Sequence, residues 1–434
     1  MIYLEFAIVL AAIFLGARLG SIGIGFAGGF GVLALALVGV KPGSIPIDVI
    51  LIIMSVIAAI AAMQVAGGLD YLVSLAERLL RKRPRHITCL APLVTYFMTV
   101  LGGTGHTAFS TLPVIAEVAK EQGIRPSRPL SIAVVASQVA ITASPISAAV
   151  VFFSKVMEPL GVDYLQILLV CVPTTLLAVI LTSFITNFLG KELKDDEVYR
   201  LRLESGLVKL RGPGNIQIQP HAKASVWIFL AAILMVMCYA TIISDKVGVI
   251  PADRVILSRD NAIIVFMLAA ATGVALFCRI EVSNVLNAST FKSGMSACIC
   301  VLGVAWLGAT FVSAHTQEIT RFAGGMLQSR PWLLAVALLF ASMLLYSQAA
   351  TARALMPTAI GLAAAPVTLV ASFAAVSALF ILPTYPTLLA AVEMDDTGST
   401  RIGKFVFNHP FLVPGVMTIS LSVLFGFIWG GVIL

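Results

Sequence analysis

The sequence predicts an all-α protein that crosses a membrane many times, and three observations support this. Only 11% of its 434 residues are charged, against about a quarter in a typical soluble domain. Hydrophobic residues make up 59% of the chain, and the mean hydropathy is +1.02. Apolar runs recur along the whole length. A water-soluble fold could not cover so much apolar surface, which excludes a soluble enzyme with a single anchor.

A transmembrane helix needs roughly 20 mainly apolar residues, and twelve segments approach this length. They are residues 2–15, 22–40, 49–66, 87–101, 130–153, 164–189, 226–243, 262–277, 295–312, 332–346, 367–382 and 411–434. Several are short or contain glycine, proline and polar residues. Those segments are the candidates for function, because a helix in lipid is interrupted only where protein or a water-filled cavity satisfies its backbone.

Two charged segments predict the orientation. Residues 78–85 contain five basic residues and no acid, and residues 191–223 contain seven basic and five acidic residues. The positive-inside rule places both in the cytoplasm as loops. Three spans precede the first loop, so the N-terminus is expected in the periplasm. The net charge of +7 therefore reflects topology and does not indicate nucleic-acid binding.

An internal repeat predicts two related halves. Residues 107–113 and 351–357 both read T-A-x-x-x-[LM]-P, and each is followed by a proline-containing Thr/Ser motif, around Pro145 or Pro386, that ends in A-A-V. A basic segment precedes the first copy, whereas the segment before the second is mainly polar, which predicts opposite orientations. Inverted repeats are typical of secondary transporters. The predicted organisation is a first membrane half at 1–189, a cytoplasmic loop at 190–224 and a second half at 225–434.

Each half contains a predicted helix break, near 142–147 and near 383–387. Proline removes one hydrogen-bond donor and frees a carbonyl group, and the N-terminus of the resumed helix carries a partial positive charge. Such a break predicts an anion site. The alternative is an ordinary kink in which Ser and Thr hydroxyls bond back to the helix. The candidate ligands at the two breaks are Thr142, Ser144, Pro145, Thr384 and Thr387.

Each half also contains a predicted re-entrant hairpin, near 102–112 and near 347–357. The tips carry glycine, glutamine and threonine, which bring backbone and neutral hydrogen-bonding groups close to a ligand. The alternative is a simple turn outside the membrane. The candidate ligands on the tips are Thr104, Gly105, His106, Thr107, Ser347, Gln348 and Thr351.

Few charges accompany these motifs. Arg353 follows the second tip, and an ionisable residue within a membrane segment is a candidate for function; the alternative is that its side chain reaches an interface. Asp396 and Thr397 lie in an acidic, hydroxyl-rich segment that could bind a cation or accept a proton, or could be a solvated loop. No metal site, cofactor motif or nucleophile–base set is recognisable.

The sequence resembles the Dcu family of anaerobic four-carbon dicarboxylate transporters of bacteria, and its A-type members in particular. The resemblance covers essentially the whole chain and is carried by residues 16–20, 63–70, 142–150, 304–308, 347–351, 382–387 and 394–405 with 408–409. One departure is Arg353, where lysine is expected. The resemblance implies an inner-membrane carrier, not an enzyme, that exchanges fumarate, malate or aspartate for succinate. It also implies an elevator movement and a homodimer.

The sequence therefore predicts antiport of small dicarboxylate anions by alternating access within the lipid bilayer. The tips and breaks are expected to hold one dianion at the midplane. The alternative is a symporter driven by Na⁺ or H⁺, in which Asp396 holds the cation. A regulatory partner of the 190–224 loop is a further expectation.

Overall fold

A computed structural model describes residues 2–19, 22–45, 47–208, 218–243, 250, 254–315, 318, 329–345, 347–383, 385–403 and 407–434. The described residues form helices, short 3₁₀ turns and connecting segments, and none of them lies in a β-strand. The predicted all-α class is confirmed. Thr384 and the side chain of His106 lie outside the described residues.

The α-helices are numbered here in chain order. They are α1 Ile2–Leu19, α2 Gly23–Leu37, α3 Ile47–Val65, α4 Gly68–Lys82, α5 Ile87–Gly102, α6 Leu112–Glu121, α7 Ser127–Val139, α8 Ala148–Met157, α9 Tyr164–Thr186, α10 Glu197–Glu204, α11 Ala222–Ile242, α12 Arg259–Phe277, α13 Ser289–Ala314, α14 Leu333–Leu345, α15 Gln348–Gly361, α16 Pro366–Ser372, α17 Pro386–Met394 and α18 Leu412–Ile433.

Within the described residues, five helical segments are long and apolar enough to cross a membrane. They are Ser127–Leu160, Tyr164–Thr186, Ala222–Tyr239, Asp260–Phe277 and Leu412–Ile433, and a sixth is obtained if α3 and α4 are counted as one bent span. The first of these contains the α7–α8 interruption. Shorter apolar helices lie at Ile2–Gly16, Gly25–Leu37, Leu333–Met343 and Pro366–Ser377.

The helices form two bundles, each of which takes helices from both halves of the sequence. The hairpin bundle consists of α5–α9 and α14–α18, which share the largest buried apolar core. The flanking bundle consists of α1–α3 and α11–α13. The two bundles meet where α15 packs on α13 and α8 packs on α3. A Cβ atom added to Gly308 of α13 would lie 3.3 Å from the Cβ atom of Ala354, so this interface is close-packed.

The prediction that residues 78–85 form a loop is wrong for most of this segment. Helix α4 continues to Lys82, because its apolar residues recur at helical spacing and bury one face, which includes Leu69, Val73 and Leu80. Its basic residues occupy the last turns, where they also complement the helix dipole.

The predicted cytoplasmic loop contains a short helix, α10, that is docked on the hairpin bundle. Asp196 caps α10, accepting from the amide of Val198 at 2.9 Å, and is 2% exposed. Its carboxylate is held by Arg125 at 2.7 Å and Arg401 at 3.1 Å. Burial alone would raise the pKa of Asp196, but the hydrogen bond from Arg401 and the charges of Arg125 and Arg401 outweigh it and lower the pKa below its usual value.

Candidate functional site

The first hairpin is built from α5 and α6, with its tip between them. Helix α5 ends at Gly102, and Gly103 adopts a left-handed conformation with φ of 65°, which favours glycine. A 3₁₀ turn over Gly105–Ser110 then leads into α6. Thr107 donates to the carbonyl of Thr104 at 3.1 Å and shares a hydrogen bond with Thr99 at the end of α5. The threonines therefore hold the tip compact.

Both ends of the first hairpin lie on the same face of the molecule. Arg81, which precedes α5, pairs with Glu121 at the end of α6 at 2.7 Å. The chain thus enters and leaves the bundle at one base, as a re-entrant hairpin does, and the tip projects inward from that base.

The second hairpin has a helix N-terminus at its tip. Helix α14 ends at Leu345 and α15 starts at Gln348, and the hydroxyl of Ser347 caps α15 by accepting from the amide of Ala350 at 3.2 Å. Thr351 donates to the carbonyl of Ser347 at 2.8 Å. Gln348 and Thr351 are both buried. Their polar atoms therefore face the protein interior.

The first interruption separates α7 from α8. After a 3₁₀ turn over Ala140–Ala143, the backbone becomes extended at Ser144, and the helix resumes at Ala148. Thr142 donates back to the carbonyl of Val139 at 2.8 Å, so its hydroxyl serves the helix itself. Ser144 donates instead to the carbonyl of Val100 in α5 at 2.8 Å, which fastens the interruption to the first hairpin.

Further side chains satisfy backbone groups in and beside this interruption. The carbonyl of Pro145 accepts from the hydroxyl of Tyr164. Ser147 donates to the carbonyl of Ile141 at 2.7 Å and caps α8 through the amide of Val150. A break in a buried helix persists only when such partners exist, because an unsatisfied buried polar group is costly.

The second interruption separates α16 from α17. A 3₁₀ turn over Phe373–Ser377 follows α16, and α17 starts at Pro386. Ser342 of α14 satisfies this segment by donating to the carbonyl of Ala375 and accepting from the amide of Ala378, both at 3.1 Å. Thr387, in the first turn of α17, is fully buried.

Four of these pieces meet at Gln138, in the last turn of α7. Its Nε2 donates to the hydroxyl of Thr387 at 3.3 Å, and its Oε1 accepts from Nε2 of Gln348 at 3.1 Å. A Cβ atom added to Gly105 would lie 2.6 Å from Nε2 of Gln138. The first tip, the second tip and the second interruption therefore converge on a side chain that immediately precedes the first interruption.

Gln138 is not among the site residues predicted from the sequence. The sequence does mark it, because Gln138 is the one side-chain amide in the apolar segment 130–153. A polar group within a membrane segment indicates function.

Arg353 lies five residues after Gln348, on α15. It is 6% exposed, and its guanidinium carbon lies 5.4 Å from the centre of the Phe152 ring on α8. Its three nitrogens have no hydrogen-bond partner among the described residues. A buried charge without a partner is costly, and a bound anion would compensate it.

Asp396 and Thr397 are placed at the base of the first hairpin rather than at Gln138. Both carboxylate oxygens of Asp396 accept from Lys120 of α6, at 3.0 and 2.9 Å. The amide and hydroxyl of Thr397 both donate to Asp395, which is 2% exposed. These residues belong to the charged cluster on which α10 docks.

The arrangement is that of a transporter. The structure is similar to the crystal structure of the YdaH transporter of Alcanivorax borkumensis, with a TM-score of 0.57 over 99% of this chain and 98% of that chain, at 15% identity. At that identity the similarity shows the fold alone. An all-helical membrane protein in which hairpin tips and interrupted helices meet at buried polar groups has an arrangement known from membrane transporters.

The chain belongs to the DcuA/DcuB family, described as anaerobic C4-dicarboxylate membrane transporters, whose family model matches residues 1–434. It is 67% identical to the C4-dicarboxylate transporter DcuA of Wolinella succinogenes over 100% of both chains. It is 34% identical to the anaerobic C4-dicarboxylate transporter DcuB of Escherichia coli over 98% of both chains. The predicted resemblance to the Dcu family, and to its A-type members, is confirmed. The protein is a multi-pass membrane transporter and not an enzyme.

Proposed function

We propose that this protein exchanges four-carbon dicarboxylates, namely fumarate, malate, aspartate and succinate, across the bacterial inner membrane by alternating access. Relatives at 54–67% identity are named C4-dicarboxylate transporters, which supports the substrate class. The observation that carries the site is the convergence of both tips and both interruptions at Gln138.

Two helix N-termini supply the positive potential for a dianion. Gln348 is the first residue of α15 and Thr387 the second residue of α17, and the side chains of both contact Gln138. The first backbone amides of a helix lack partners within it and attract anions. A linear dicarboxylate has two charged ends, so each carboxylate can face one of these N-termini.

The polar groups of the tips complete the site. We assign hydrogen bonds to the substrate to Thr104, Gly105 and Thr107 on the first tip and to Ser347, Gln348 and Thr351 on the second. Arg353 supplies a full positive charge, and its guanidinium has no hydrogen-bond partner among the described residues. Together with two helix N-termini of about half a positive charge each, it brings the site loaded with a dianion close to electrical balance, which lowers the cost of moving the anion through lipid.

Movement of the hairpin bundle against the flanking bundle would expose this site to each side in turn. Exchange follows if the empty bundle, with bare helix N-termini, crosses the membrane poorly.

In this proposal the N-terminus of the chain is periplasmic. The start of α1 and the end of α13 lie together on the periplasmic side, since Glu5 of α1 pairs with His315 just beyond the end of α13. A homodimer and a partner of the α10 segment belong to the same proposal.

The test is succinate exchange in proteoliposomes that contain equal amounts of reconstituted protein. Gln348→Ala and Thr351→Ala should each lower exchange at least about tenfold, because each removes a hydrogen-bonding group from the site. Thr358→Ala, two turns further along α15, is the matched control and should leave the rate unchanged. Near-normal rates for both tip variants would remove the second tip from the site.

The same vesicles separate exchange from symport. Exchange requires internal dicarboxylate and is independent of sodium and proton gradients. Uptake into empty vesicles that depends on either gradient would favour the symporter alternative.

A further inference from the structure

The amide of Gln138 is fully buried and makes three hydrogen bonds to other side chains. It donates to the hydroxyls of Ser137 at 3.2 Å and Thr387 at 3.3 Å, and it accepts from Gln348 at 3.1 Å. Both donor distances lie at the long end of the usual range for N–H···O hydrogen bonds. The N–H groups of Gln138 are therefore weakly engaged, although they sit where the hairpins and interruptions meet.

We infer that Gln138 is a specificity-determining residue, whose amide N–H group donates to a carboxylate of the transported anion and selects it against neutral groups of the same shape. This inference rests on the proposed function, because it requires that the site binds a dicarboxylate. A hydrogen bond to a carboxylate is shorter and roughly twice as strong as one to a hydroxyl. The amide therefore gains by turning from Thr387 towards a bound carboxylate.

In the structure, the oxygen of the same amide occupies the position that we assign to an oxygen of the bound ligand. Oε1 of Gln138 accepts from Gln348, at the N-terminus of α15. A primary amide and a carboxylate have nearly the same size and planar shape. A substrate carboxylate would replace Oε1 as the acceptor for Gln348, and Gln138 would then offer its N–H groups to that carboxylate. The side-chain donors of Gln138 and Gln348 then have an acceptor in both the empty and the loaded state, as a buried polar network requires.

Gly105 leaves room for the amide of Gln138 beside the first tip. An added Cβ atom at this position would lie 2.6 Å from Nε2 of Gln138 and 3.1 Å from its Oε1. The absence of a side chain at Gly105 therefore allows the amide to lie against the first tip. A side chain on α7 can therefore reach between the two hairpins.

The test compares succinate with its monoamide, succinamate, as competitors for succinate exchange in proteoliposomes. In Gln138→Glu the N–H donor becomes a carboxylate oxygen that repels a substrate carboxylate and accepts from an amide. The ratio of inhibition constants should shift towards succinamate by roughly tenfold or more. Gln138→Leu, which has no polar atom, should weaken succinate binding without favouring succinamate.

Gln138→Asn keeps the amide but shortens the side chain, so it should raise the KM for succinate while preserving the preference for succinate over succinamate. If Gln138→Glu cannot be reconstituted into proteoliposomes, Gln138→Asn provides the test. An unchanged inhibition ratio in Gln138→Glu, or a Gln138→Asn variant whose KM is unchanged while its turnover falls, would overturn the inference and make Gln138 a purely structural residue. Wild-type protein that does not exchange succinate would instead refute the proposed function.

Discussion

The contact between Gly105 and Gln138 gives a prediction whose size follows from the structure. In Gly105→Ala the new Cβ atom would lie 2.6 Å from Nε2 of Gln138 and 3.1 Å from its Cδ. The amide must move by about 1 Å to reach ordinary van der Waals separation. That movement displaces the amide from two partners, which are Gln348 and Thr387 in the structure and include the substrate carboxylate in the proposed loaded site. At about 1 kcal/mol each, the loss is about 2 kcal/mol, or roughly thirtyfold in an equilibrium constant.

Closure of the site around Gln138 is a step of alternating access in the proposed mechanism, so the loss should appear in turnover. We expect the maximal rate of succinate exchange to fall by tens-fold in Gly105→Ala. The matched control is Gly361→Ala, at the end of α15, where an added Cβ atom meets nothing within 4 Å. Labelled-succinate exchange at saturating concentration measures both. If the two variants differ by less than twofold, the contact does not contribute to transport.

Three further predictions follow from charged residues. Arg353→Met should leave the stability of the empty protein unchanged or raised, since it removes an unpartnered buried charge, while the thermal shift caused by succinate decreases. Asp196 has a pKa below its usual value because the Arg401 hydrogen bond and the Arg125 charge outweigh burial. Its docking contribution is therefore complete above the unfolded pKa of about 3.9 and is lost as pH falls through the folded pKa, so α10 should become accessible to an acid-active protease. Asp396→Asn should leave the ion dependence of exchange unchanged, because Lys120 keeps its pair with Glu117 at 3.0 Å.

Each of these predictions has a control and a contrary result. Arg353→Lys keeps the charge and should retain the succinate-induced shift; a full shift in Arg353→Met would exclude the guanidinium from the site. Asp196→Asn should make proteolysis of α10 independent of pH, and an unchanged pH profile would assign the effect to other groups. A new sodium or proton dependence in Asp396→Asn would return Asp396 to the coupling role.

The sequence predicted the positions of the two interruptions better than it predicted which side chains form hydrogen bonds at them. Pro145 lies inside the first interruption, and Pro386 starts the helix that follows the second one, since proline acts locally. The hydrogen-bond partner of each hydroxyl group depends on tertiary packing. Thr142 bonds back to its own helix, whereas Ser144, two residues later, reaches Val100 of another helix. No local pattern distinguishes these two outcomes.

Gln138 illustrates the same limit at longer range. Its partners Gln348 and Thr387 are 210 and 249 residues away in sequence, so only the packing of the hairpin bundle brings them together. The basic segment at 78–85 gave the opposite difficulty, because its charges suggested a loop while the apolar spacing of α4 indicated a helix. In that segment burial of Val73 and Leu80 decided the structure.

The course of the second interrupted helix supports the inverted arrangement on which the mechanism depends. The segment starts at Pro366, beside the end of the second hairpin, and passes Gln138 at Thr387. It ends next to Asp396, which pairs with Lys120 at the base of the first hairpin. One chain segment therefore leads from the base of one hairpin, past the shared site, to the base of the other. This course fits the proposed inverted arrangement, in which the two hairpins enter the bundle from opposite faces. A site between such tips is closed by protein on both sides, and movement of either tip would open it to one side only.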